Sequence, residues 1–144
     1  MEDRPIIVDT NVLFSALLKS KSHFSEQLLT TDARFFICEL AVIELFKHRN
    51  RIVQYSALPE DEIIQAYYLL LRRVSLYKED LIRPEHWKHA YALCKEVDEN
   101  DTPHVALTLE LDGLLWTTDR RLIRGLTSGG FDRFFHPDKS ISSS

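Results

Sequence analysis

Short unbroken apolar runs, separated by longer stretches with a three-to-four-residue apolar period, dominate this chain. Ile6 to Val8 is brief, continuous and β-branched, which is the pattern of a buried strand. Asp9-Thr10-Asn11 then supplies N-cap chemistry for a helix through Val12, Leu13, Phe14, Ala16, Leu17 and Leu18. Ser22 to Thr31 reads as a second short helix, with Phe24, Leu28 and Leu29 inward, and Arg34 to Ile37 as a strand. Glu39 to Arg51 reads as one helix. Leu58-Pro59-Glu60-Asp61 starts another through Ile63, Ile64, Tyr67, Tyr68 and Leu71, and Val74 to Lys78 returns to strand. Pro84 to Val97 is amphipathic, with Trp87, Ala90, Tyr91, Cys94 and Val97 on one side. Asp101-Thr102-Pro103 opens a nearly all-apolar helix that tolerates proline in its first turn and is stopped by Asp112-Gly113. Leu114 to Thr117 is a strand, Asp119 opens a helix ending near Gly125, Ser128-Gly129-Gly130 turns, and Phe131 to Phe135 adds a last edge strand.

Strands alternating with helices imply a parallel sheet covered on both faces. The expected fold is therefore a three-layer α/β/α sandwich with a mainly parallel central sheet. Sites in such folds lie beyond the carboxyl ends of the strands, at a topological switch. Asp9 and Asp119 both follow strands, so that rule puts them at the same edge.

With 144 residues, the chain reads as a single domain over residues 1–136 and a flexible tail over 137–144. Its 44% hydrophobic and 28% charged residues exclude a disordered chain. The net charge of −4 and the pI near 5.8 argue against a broad electrostatic grip on nucleic acid, though not against a small site. Lys47, Arg49 and Arg51 form one basic run, read as a solvated helix face, while Arg120, Arg121, Arg124 and Arg133 populate the last quarter. Cys38 and Cys94 stand apart from any ligand-spaced companion and read as small buried hydrophobes in a reducing compartment, with a disulfide left open. Met1-Glu2-Asp3-Arg4-Pro5 has no signal-peptide character, and no apolar stretch approaches the ~20 residues of a membrane helix. A cytoplasmic protein with no membrane partner is expected.

Four acidic residues sit among apolar neighbours: Asp9, Glu44, Asp101 and Asp119. Helix capping accounts for each aspartate alone. Glu44 resists that explanation, because at ~100° per residue it lies ~40° from Leu40, on or beside the apolar face. A charge there is costly unless it is paired or bound to a metal. A salt bridge to a distant arginine or lysine would satisfy it, and so would a shared cation. Carboxylates crowded into one site resist ionising, and a hard divalent cation with oxygen ligands relieves them.

The order and spacing of these residues resemble PIN-domain nucleases, in particular bacterial toxins of the VapC type and related stand-alone PIN proteins. The resemblance runs from Ile6 to Leu126. It rests on Val8-Asp9-Thr10-Asn11-Val12-Leu13, the helical Glu44, Asp101 leading Val105-Ala106-Leu107, and Leu115-Trp116-Thr117-Thr118-Asp119-Arg120-Arg121-Leu122. It implies Mg²⁺- or Mn²⁺-dependent cleavage of RNA phosphodiester bonds. Asp9 and Asp101 would be the main metal ligands, Asp119 and Glu44 would complete the catalytic set, and Asn11 and Thr117 would orient the carboxylates, with Thr10 ranked below them. It also implies a type II toxin that dimerises and is silenced by a small antitoxin protein.

Metal-assisted hydrolysis needs no nucleophilic serine or catalytic histidine, which suits a chain whose histidines are scattered. His86 and His89 read as surface residues. His104, one turn after Asp101, is a candidate phosphate contact, and Asp98 a candidate fifth carboxylate or a solvated helix end. Arg120 and Arg121 could meet RNA phosphate. The chain has neither Gly-x-Gly-x-x-Gly nor a P-loop, and only four glycines. A phosphotransfer domain using Asp9 is disfavoured because Asn11 occupies the second acidic position of an Asp-x-Asp pair. The remaining rival is a catalytically silent PIN-like module that binds RNA or protein, with the acidic net charge in its favour.

Overall fold

A computed structural model of the chain describes residues 4–18, 32–56 and 58–137. The β-branched run Ile6–Val8 forms β1, with all three residues buried. The other strands are β2 (Phe35–Cys38), β3 (Val74–Tyr77) and β4 (Leu114–Trp116). They make one sheet in the order β3-β2-β1-β4, and every pairing is parallel. Ile6 pairs with Phe35 on one side and Leu114 on the other, and Val8 pairs with Trp116.

Helices cover both faces. Side-chain alternation along β1 sends Ile6 and Val8 into one core and Ile7 into the other. The first core packs Phe35, Ile37 and Trp116 against α1 (Thr10–Leu18), α2 (Glu39–Lys47), α3 (Arg49–Tyr55) and α4 (Glu60–Arg73). The second packs Ile7 and Leu115 against α5 (Pro84–Cys94), α6 (Thr102–Glu110) and α7 (Arg120–Ser128). This is the expected three-layer α/β/α sandwich. Chain order reverses direction at β1, with β2 on one side and β4 on the other, so the switch-point crevice opens beyond the carboxyl ends of β1 and β4.

Several boundaries differ from the expectation. The helix anticipated over Glu39 to Arg51 breaks at His48, whose φ of −104° and ψ of 19° let it end α2 and begin α3. The helix expected to stop near Gly125 runs on to Ser128. Gly125 is there for packing, because a Cβ on it would overlap the Val97 methyl groups. Gly113, in the turn after α6, leaves no room for a Cβ beside the Pro5 carbonyl, so β4 starts tight against β1. Asp112 before it adopts a φ of 52°, which aspartate tolerates. Phe131 to Phe135 makes only an isolated parallel bridge, Leu115 to Phe134, because of the β4 residues only Leu115 bonds it, donating its N–H to the Arg133 carbonyl and accepting the Phe135 N–H. Helix α5 ends at Cys94, short of Val97. Ile64, Tyr68 and Tyr91, expected inward by period, are about half exposed. Cys38 and Cys94 are free and buried. The helix anticipated at Ser22 to Thr31 and the end of the tail lie outside the described residues. Among the described residues no helix is long and apolar enough to cross a membrane.

Candidate functional site

Residue 9 leaves β1 with its N–H still donating to the Trp116 carbonyl at 3.1 Å, which aligns Asp9 beside the end of β4. Its side chain is only 3% exposed. The carboxylate accepts the Val12 N–H at 3.2 Å, together with the Asn11 N–H and the Thr117 hydroxyl. Despite these bonds, burial pushes the Asp9 pKa up to about 6, with the charge of Asp119 adding to the rise. A carboxylate at the start of α1 that still resists ionising signals a shortage of positive charge.

Thr117 joins two of the acidic groups. Its hydroxyl donates to Asp9, while its Oγ1 accepts the Asp119 N–H at 3.1 Å. Asp119 caps α7 by accepting the Leu122 N–H at 3.1 Å. Asp101 precedes α6 but makes no side-chain capping bond, so the capping explanation fails for it. Its pKa is raised to about 7, first by burial and then by Asp98, Asp9, Asp119 and Glu44. Four other carboxylates therefore act on Asp101, which makes it the electrostatic centre of the group.

Glu44 reaches this edge from α2, half-buried, and its Oε1 accepts the Thr10 hydroxyl at 2.6 Å. Thr10, ranked low from sequence, is thus the residue that fixes Glu44. No local signal could have found this bond, which joins residues 34 positions apart.

The outcome is one cavity of about 200 Å³, lined by Asp9, Thr10, Asn11, Glu44, Asp98, Asn100, Asp101, His104 and Asp119. All four expected carboxylates line it. Asp98, a solvated helix end in the default expectation, lines it too, and its Oδ1 accepts the Asn100 N–H at 3.0 Å. Asn11 is exposed and also lines a neighbouring recess of about 420 Å³ formed by Phe14, His48, Arg51, Ile52 and Tyr55. In the basic run, Arg49 pairs with Glu60 at 3.1 Å while Arg51 joins that recess rather than a featureless surface. Arg120 and Arg121 are exposed at the start of α7, just beyond Asp119. His86 is bonded to Glu110 at 2.7 Å, away from the cavity lining, and His89 is exposed.

The donor set is almost entirely oxygen, and its two central carboxylates are held above their usual range, which fits a hard divalent cation. Among the described residues, no three His, Cys, Asp or Glu side chains are already gathered into a ready coordination set. Mutual repulsion keeps un-neutralised carboxylates apart, and a small hard cation takes only one or two of them while keeping several waters. The residues present therefore fit such an ion.

Comparisons with known proteins agree with this architecture. No curated protein matches the chain. Among solved structures, VapBC2 from Rickettsia felis, bound to a DNA fragment from its promoter, superposes with a TM-score of 0.64 at 13% identity. The match covers 83% of this chain and 92% of that one. VapBC-1 from nontypeable Haemophilus influenzae gives a TM-score of 0.60 at 21% identity, covering 86% and 93%. The sequence pattern of the PIN domain matches residues 7–136, from within β1 to beyond the bridge at Phe134. The chain belongs to the PIN-domain family.

Proposed function

We propose that this chain is a metal-dependent endoribonuclease, hydrolysing RNA phosphodiester bonds with Mg²⁺ or Mn²⁺, and that it is the toxin of a type II toxin–antitoxin pair. The observation that carries the reading is the acidic cavity, in which buried Asp9 and half-buried Asp101 hold protons up to about pH 6 and 7. In this reading Asp9 and Asp101 are the principal ligands, with Asp119 and Glu44 completing the set directly or through waters. When bound, the cation neutralises the phosphate and eases deprotonation of the attacking water. Thr117 keeps Asp9 and the Asp119 backbone in fixed register, and Thr10 prevents Glu44 from swinging into solvent. Asn11 presents its amide at the lip shared with the neighbouring recess.

RNA as substrate is supported by that recess. Phe14 and His48, with ring centroids 5.8 Å apart, together with Tyr55 and Arg51, offer flat π-faces and a guanidinium to a nucleotide flanking the scissile phosphate. Arg120 and Arg121 can meet phosphate from the Asp119 side. The VapBC names of the structural relatives support an antitoxin partner for this chain, and a homodimer is proposed with it from the family resemblance. The test is cleavage of single-stranded RNA with Mg²⁺ or Mn²⁺ by the parent, Asp9→Asn and Asp101→Asn. Activity in the parent alone is expected, and equal activity in all three refutes the assignment. The net charge of −4 favours a second reading, a silent module that binds without turnover. Metal-dependent thermal stabilisation with no cleavage of any RNA would select it.

A further inference from the structure

The recess of about 420 Å³ beside the acidic cavity is walled, among the described residues, by two helix faces. Asn11 and Phe14 stand one turn apart on α1, and His48, Arg51, Ile52 and Tyr55 follow the i, i+3, i+4, i+7 stripe that leads into α3. Ile52 is 1% exposed, and the half-buried rings of Phe14 and His48 lie 5.8 Å apart, tilted by 58°. Asn11, Arg51 and Tyr55 are exposed at the rim. An apolar slot with a few polar groups around it is the usual form of a site for a flat organic ring. Among the described residues the Arg51 guanidinium has no hydrogen-bond or ion-pair partner, whereas Arg49, two positions earlier, is held by Glu60 at 3.1 Å. The Asn11 side-chain amide is likewise without a hydrogen bond there.

We infer that this recess is a guanine-reading subsite, with Arg51 on the Hoogsteen edge of the base and Asn11 on the edge opposite. Phe14, His48 and Tyr55 supply the apolar and π surfaces against which the base packs. The choice of base follows from the two free side chains and from their places on different helices. A guanidinium is a rigid fork of donors and wants two neighbouring acceptors, which guanine offers as O6 and N7. Adenine sets an amino donor beside N7, so one arm of the fork would meet another donor. Cytosine also has a pair of adjacent acceptors, but the edge facing away from them is bare C–H. Guanine turns its N1–H and amino group away from the fork, towards an amide oxygen such as that of Asn11. An arginine meant only for phosphate needs no apolar slot behind it. Asn11 lines the acidic cavity as well, so a base held here belongs to the strand whose phosphate enters that cavity. The inference deepens the nuclease reading and rests on it for that strand, while the base preference itself requires no cleavage.

Binding of labelled uridine hexamers to the full chain, read by fluorescence anisotropy in EDTA so that no metal-dependent cutting intervenes, tests it. A single central guanosine should tighten binding ~10-fold or more over adenosine, cytidine or uridine at the same place. Replacing it by 7-deazaguanosine, which has C–H instead of N7, should lose most of that gain. Arg51→Gln and Arg51→Lys should both erase the preference. Lysine keeps the charge but not the fork, so a contact to phosphate alone would survive in Arg51→Lys. Arg51 is exposed, so neither variant disturbs the core. Four hexamers bound alike, or none bound, as a recess built for a protein partner would give, overturns the inference, and so does a guanosine preference that persists in Arg51→Lys. Guanosine preference in a parent that cuts no RNA with Mg²⁺ or Mn²⁺ removes the nuclease reading and leaves the subsite standing. Cleavage without base preference does the reverse.

Discussion

Replacing Asp9 by asparagine should stabilise the metal-free protein at alkaline pH while removing its function. The carboxyl titrates near 3.8 when unfolded and near 6 when folded, chiefly because it is buried. At ~1.36 kcal/mol per pKa unit, holding that group ionised in the folded state costs ~3 kcal/mol. The sign follows from linkage. Below pH 3.8 the carboxyl is protonated in both states and costs nothing. As pH rises through 3.8 the unfolded chain loses its proton first, so the native state is progressively disfavoured, and the full cost is present above pH 6. An asparagine side chain carries no charge, and its amide oxygen can still accept the Val12 N–H while the Thr117 hydroxyl rotates to suit.

The measurement is urea denaturation of the parent and Asp9→Asn in EDTA from pH 4 to pH 8. The variant should be more stable by about 1–3 kcal/mol at pH 8, worth several degrees in Tm for a chain of this size, with the advantage fading as pH falls towards 4. Saturating Mg²⁺ should reverse the order, because a ligand at 100 times its Kd adds ~2.7 kcal/mol to the parent alone. A variant that is less stable than the parent at pH 8 without metal, or an advantage that does not change with pH, would refute the account of Asp9 as a frustrated charge.

Three further outcomes follow from the same geometry. Apparent Mn²⁺ affinity, measured by calorimetry, should fall about ten- to thirtyfold from pH 8 to pH 6, because protons on Asp101 and Asp9 compete with the ion below about 7 and 6. Thr10→Val keeps the shape of the buried side chain but frees Glu44. It should cut the RNA cleavage rate ~10-fold or more, at a stability loss of about 1–2 kcal/mol by denaturation. Gly125→Ala should destabilise by about 1–3 kcal/mol through overlap with Val97, and Val97→Ala in the same chain should recover most of that in a double-mutant cycle.

What could be read from the sequence was what depends on neighbours in sequence. Ile6–Val8 and Leu114–Trp116 declare themselves strands by their run of apolar residues, and the aspartates just beyond them fall at one sheet edge because parallel strands share a direction. Periodicity also placed Glu44 beside an apolar face. It could not say what faces that side chain, because the answer is a threonine 34 residues away, reached only once α1 and α2 pack on the same sheet face. Gly125 shows the same limit from the other side. Glycine is a stop signal by local rules, yet here it lets α7 approach Val97 and the helix continues through it.

His104 marks where pattern alone gives out. An isolated histidine in an apolar helix carries no information about which of its nitrogens is engaged, and its partner Cys38 lies 66 residues earlier. The same burial that hides both residues from sequence rules also disfavours charge on either, pushing the thiol up to about 12 and the imidazole down to about 4. A protonated histidine in that lining would repel a divalent ion, whereas a neutral one beside Cys38 leaves the negative potential of the carboxylates intact.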